Sequence, residues 1–156
     1  MKKRQFTLWH SLVGTALLVA FEALLLYVFS SAGILIILAG AAAGAIGNIY
    51  VATEVIEEVR NAWHMLTLLS VIVAEFVVFF AFEYCFLLFV DPQSFPSLAN
   101  SPVPLLLHSV FVFVFNPIFL PASIWGQSLL LLNTLGALGL VLFILQNIGQ
   151  FRRAAK

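Results

Sequence analysis

Apolar residues run along this chain in long unbroken stretches, without the alternation that gives a soluble domain a wet face. Leu8–Phe29, Ile34–Val51, Met65–Val90 and Ile124–Ile148 each approach or exceed the ~20 apolar residues that cross a ~30 Å hydrocarbon core. They predict four transmembrane helices. Ser30-Ser31-Ala32-Gly33 leaves room only for a tight hairpin between the first two, while Thr53–His64, between the second and third, is the one strongly charged internal segment. Leu8–Phe29 is longer than the ~7–15-residue core of a secretory signal and carries Glu22, so it is expected to stay as a span.

The stretch Pro92–Gly126 departs from this pattern. It holds all six prolines and no charged residue. Its apolar run, Leu105 to Phe115, breaks at Asn116-Pro117 and has the ~10–14-residue length of a re-entrant or interfacial segment. Charge placement points the same way. With four spans, Lys2, Lys3, Arg4, Arg60, Arg152, Arg153 and Lys156, all seven basic residues, share one side. A fifth crossing at 104–120 would divide them. The positive-inside rule therefore favours a re-entrant half-helix between the third and fourth spans, with both termini cytoplasmic.

Composition agrees with an all-α integral membrane protein of one domain, residues 1–64 an N-terminal helical hairpin and 65–156 a helix, re-entrant loop and helix. With 63% hydrophobic residues, sixteen of them phenylalanine, a soluble domain of 156 residues could not hide its apolar surface. No basic stripe exists to neutralise phosphates, which excludes nucleic acid as a partner. The lipid bilayer is the partner implied, and irregular backbone at membrane depth calls for further protein cover, hence a homo-oligomer or other membrane subunits. The single cysteine, Cys85, has no partner for an internal disulfide and reads as a small packing residue.

Small residues recur in the second span at Gly40xxxGly44 and Ala43xxxGly47, one helical turn apart, where backbones can approach. On the fourth span Asn133, Gly136, Ala137, Leu140, Ile144 and Asn147 share a stripe, either an interhelical packing face or the lining of a pore or cavity.

The layout of residues 65–150 resembles the potassium-channel pore module: long span, outer loop, short pore helix, proline-containing return and glycine-bearing inner helix. Gly126-Gln127-Ser128-Leu129-Leu130-Leu131-Leu132-Asn133-Thr134-Leu135-Gly136 is similar to the start of the inner helix in bacterial two-helix pore domains, with Asn133 at a usually acidic position. Leu106–Phe115 corresponds to the pore helix. The resemblance implies a channel-like oligomer, a tetramer, with Asn133, Gly136 and Asn147 lining the inner helix. The family's filter, of Thr-Val-Gly-Tyr-Gly type, uses glycines to line up its carbonyls. Here the equivalent stretch is Val112-Phe113-Val114-Phe115-Asn116-Pro117-Ile118, and no glycine lies between Gly47 and Gly126. The potassium mechanism is not expected of it. A Phe- and Val-lined constriction tends to dewet. A small accessory subunit of a larger membrane complex is the alternative.

Three carboxylates, Glu22, Glu75 and Glu83, fall inside spans, where an ionisable residue is a functional candidate by default. If the first span packs on the third, Glu22 can share a site with Glu75 or Glu83 and hold a proton or cation; otherwise each is satisfied singly. Glu54, Glu57, Glu58 and His64 form the densest polar cluster, either metal-ligating or, with Arg60 paired to a glutamate, a solvated turn. In the half-helix, His108 and Ser109 are the polar residues, and His108 is expected to donate to a carbonyl of the return. Phe113, Val114, Phe115, Asn116 and Pro117 form its tip, with Asn116 the polar candidate there. No nucleophile, base and orienter can be assembled, so neither an enzyme nor a cofactor is expected.

Overall fold

The computed structural model describes residues 2–59 and 62–147, and only the backbone of residues 2–8, 58 and 62. Five α-helices follow one another: α1 (Lys2–Val28), α2 (Gly33–Glu58), α3 (Ala62–Val90), α4 (Pro102–Phe113) and α5 (Ile124–Gln146). α1, α2, α3 and α5 are long and apolar enough to cross a membrane, and α4, at 12 residues, is not. The protein is an integral membrane protein of all-helical class, as its hydropathy predicts.

Ser30–Ala32 forms a single 3₁₀ turn that reverses the chain between α1 and α2. Leu26 and Val90 both crowd Gly33, where an added Cβ would lie 3.3 and 3.2 Å from them. The end of α1, the start of α2 and the end of α3 therefore share one end of the bundle. Further along, Gly136 of α5 sits against Ala45 of α2, and Gly139 against Ile49, so α5 runs parallel to α2. α1 and α3 run the other way, side by side. The core between α2, α3 and α5 is built on Phe76, Phe79 and Phe80, with Phe79 seated on Gly44. Gly40 and Gly44 thus receive side chains from α1 and α3 in place of a neighbouring backbone.

One expected boundary is corrected. The connection between the second and third spans is shorter than Thr53–His64, because α2 continues to Glu58 and α3 begins at Ala62. Glutamates are good helix formers, and the apolar residues among them, Val55, Ile56 and Val59, are buried in the core with Met65. Arg60, Arg152, Arg153 and Lys156 lie outside the described residues, as do the side chains of Lys2, Lys3, Arg4 and Glu58, so the charge argument for orientation and the Arg60 pairing rest on sequence alone.

α4 begins at Pro102, a residue suited to the first turn because its missing N–H would be unpaired there anyway. It runs antiparallel to the C-terminal half of α3: Leu105 lines a groove with Ala81 and Cys85, Ser109 bonds to Val77, and Phe113 meets Phe76 edge-on at 5.8 Å. A helix of 12 residues is ~18 Å long. After it the chain returns, and Ala122 N–H donates to Ser94 O at 2.8 Å. Ser123 then caps α5, its Oγ accepting from Gly126 N–H at 3.2 Å. Gly126 is required there, since an added Cβ would stand 2.9 Å from Ser94 O.

Candidate functional site: polar groups buried on both sides of α3

α1 lies along α3 in parallel register and brings polar atoms together at two levels. At the first, Ser11 Oγ donates to the Glu75 carboxylate at 2.8 Å, and Thr15 Oγ1 donates to Glu75 Oε1. Ser11 and Thr15 are one helical turn apart, the spacing that puts two hydroxyls on one face. Neither was singled out in the sequence, although two hydroxyls at that spacing in an apolar span are a visible signal.

At the second level, Glu22 of α1 and Glu83 of α3 bring their carboxyl groups against each other. They are 2% and 0% exposed. None of their four oxygens has a hydrogen-bond donor. Glu22 lies flat on Gly40 of α2, where an added Cβ would fall 2.6 Å from its Cδ. The three in-span carboxylates thus divide. Glu22 meets Glu83, and Glu75 is held separately by hydroxyls.

The opposite side of α3 packs against α4 and α5. Ser109 Oγ donates to Val77 O at 2.8 Å, tying α4 to α3. Asn133 Nδ2 donates to Tyr84 Oη at 3.1 Å, tying α5 to α3. His108 is fully buried among the edges of Tyr84, Phe95 and Phe119, with ring centroids 4.5, 5.2 and 5.6 Å away. It does not donate to a return-loop carbonyl as expected: neither ring nitrogen has a hydrogen-bond partner. Aromatic packing, which a histidine in an apolar run does not announce, has taken the place of the polar contact.

On α5, Asn133, Gly136, Ala137 and Leu140 are buried against α3 and α2 of the same chain, so this stripe is covered. Asn147 is half-buried and its Nδ2 donates to Phe143 O at 2.8 Å within the helix. The outward face of α5 is apolar, carrying Leu131, Leu135, Leu138, Leu142 and Leu145.

The tip of α4 closes with a double bond pattern, Asn116 N–H to Phe111 O at 2.8 Å and Phe115 N–H to Val112 O at 2.9 Å. This is the Schellman arrangement, which places the residue after the C-cap in the left-handed region, usually as glycine. Here that residue is Phe115, at φ 59°. Phe113 and Pro117 are half-buried, whereas Val114, Phe115 and Asn116 are exposed. Beyond them, the N–H groups of Ile118, Phe119 and Leu120 donate to no backbone carbonyl among the described residues.

At the far end of α2, Glu54 is half-buried and neighbours the Tyr50 hydroxyl, while Glu57 and His64 are exposed. Among the described residues, no three His, Cys, Asp or Glu side chains gather closely enough to hold a metal ion.

No protein-family model, curated protein or solved structure matches the chain.

Proposed function

We propose that this is a channel-like membrane protein that assembles as a homo-oligomer, four-fold as in the pore modules its second half resembles. The segment 102–122 enters the membrane and turns back near the axis, with both termini on the cytoplasmic side. The observation that carries this reading is the uncovered return. Val114 is 56% and Leu120 73% exposed, and three successive amides between Pro117 and Pro121 have no backbone partner among the described residues. Exposed irregular backbone does not persist against lipid tails, because each unpaired group there costs several kcal/mol; it survives only under protein or beside water. A return that is apolar in its side chains and unpaired in its backbone therefore calls for other chains around it.

Phe115 supports the same reading. Holding a bulky residue at positive φ costs ~1–3 kcal/mol and tends to persist where function over-determines it. A glycine would relax the turn but remove the aromatic surface offered to a neighbour.

Potassium selectivity of the family type is not part of the proposal, since neither glycine nor threonine stands in the return to build the carbonyl ladder. Nor is a wide aqueous path: the polar stripe of α5 is turned inward, and its outward face is leucine. Conduction would have to pass a hydrophobic constriction at Phe115-Asn116.

The test is the mass of the particle released in mild detergent or a native nanodisc. A symmetric multiple of one chain is expected. A monomer would contradict the proposal, and a single copy among unlike chains would replace it with the accessory-subunit reading.

A further inference from the structure

Glu22 and Glu83 pose a problem that their surroundings do not solve. Each is an acceptor-only group when ionised, and a buried acceptor needs a donor. Six of the seven basic residues are in the terminal segments and the seventh, Arg60, is in the α2–α3 connection, so the apolar spans themselves carry no Lys or Arg. Around the pair, α2 presents Gly40 and the fully buried Ile37 and Ala41, with no polar side chain. The titratable groups of α2, namely Tyr50, Glu54, Glu57 and Glu58, stand at its opposite half. On α3, Glu75 is eight residues, ~12 Å, away and already bonded to Ser11 and Thr15. Tyr84 points to Asn133 and His108 on the other side, and Cys85 lines the groove beneath α4. α4 and α5 send nothing titratable to the pair.

Two ionised carboxylates in contact without a cation would repel in a medium that screens little. The pair lacks the ligands of a metal site. Among the described residues no third His, Cys, Asp or Glu joins it, and a hard cation takes about six or more oxygens where the two carboxyls supply four. One proton suffices, because it converts one carboxyl into the donor the other lacks.

We infer that Glu22 and Glu83 form a one-proton binding site that latches α1 onto α2 and α3. Its placement fits a latch. α1 and α3 leave an open groove of ≈ 670 Å³ between them, lined by apolar residues between Leu12 and Ala23 and between Val71 and Phe86 with Thr15 and Glu75 on its wall, so their seam is thinly packed. The two polar contacts hold it. Of these, only the Glu22–Glu83 contact depends on a proton that can leave. Loss of that proton places two negative charges against each other and loosens α1, while the Glu75 contact remains.

The experiment is infrared spectroscopy of the lipid-reconstituted protein across a pH titration, paired with thermal unfolding midpoints. Wild type is expected to show the carbonyl stretch of a protonated carboxylic acid at neutral pH. Raising the pH until that band disappears is expected to lower the midpoint in parallel. The double variant Glu22→Gln/Glu83→Gln keeps an amide–amide hydrogen bond of the same shape, and should lack both the band and the alkaline decline. Glu75→Gln should retain both. Absence of the band from wild type at neutral pH overturns the inference, as does its persistence in the double variant. Should the double variant fail to fold, Glu22→Gln alone serves: the band must then shift or vanish, because the partner of Glu83 becomes an amide, and an unmoved band overturns the site.

Discussion

α3 is flanked by α1 on one side and by α4 and α5 on the other, and the two sides handle buried polar atoms differently. Between α3 and the helices α4 and α5 the contacts are a serine on a carbonyl, an amide on a phenol, and an imidazole wrapped in aromatic edges with both ring nitrogens unpartnered. Toward α1 the polar atoms are carboxyls, one supplied with two hydroxyl donors and two facing each other with none. The hydroxyl and amide hydrogen bonds toward α4 and α5 hold the same geometry at any ordinary pH. A carboxyl pair changes charge when one proton moves. The half of the protein around α4 is thus built to be rigid, and the seam with α1 is built to respond.

Four substitutions test this contrast. Gly40→Val strikes the α1 side hardest, because the new side chain would occupy the space of the Glu22 carboxyl. A loss of about 3 kcal/mol, the upper end for overpacking, is expected from thermal or denaturant unfolding in detergent, together with loss of the protonated-carboxyl band. On the α4 side, Asn133→Ala leaves the Tyr84 hydroxyl buried without its partner and should cost about 2 kcal/mol by the same measurement, independent of pH. Ser109→Ala removes one hydrogen bond from a carbonyl already bonded in its helix, for about 1 kcal/mol, again without pH dependence. Phe115→Gly should stabilise the separated chain by about 0.5–1 kcal/mol, by relieving a left-handed aromatic, yet weaken the oligomer seen by native mass spectrometry. A cost of Asn133→Ala relative to wild type that changes with pH, or a pH-insensitive wild type, would erase the distinction between the two sides.

Span count and the length of α4 were legible because both follow from hydropathy and from the fixed rise of a helix, and Pro117 and Pro121 marked where its return runs. α4 itself is set two to four residues ahead of the expected Leu106–Phe115. The small size of Gly40 and Gly44 announced close packing, but not of what. Glycine periodicity specifies space, and its occupants, Glu22 and Phe79, come from tertiary placement. Pairing Glu22 with Glu83 in place of Glu75 likewise needed the parallel register of α1 on α3, which no local pattern encodes. Two features ran against local signals. α2 continued past Val51 because polar glutamates end a hydrophobic run without ending a helix. The Schellman turn at Phe115 was hidden because its usual marker, glycine, is missing.

The central claim, that residues 102–122 leave the membrane on the side they enter, can be tested by thiol accessibility. With Cys85 replaced by alanine, single cysteines at Ser31, Glu57, Ser97 and Ala122, all exposed, would be probed with a membrane-impermeant reagent in sealed, oriented vesicles. Positions 31, 97 and 122 are expected to react from one side and position 57 from the other. Reaction of 97 and 122 from opposite sides would make 102–122 a crossing and contradict the account.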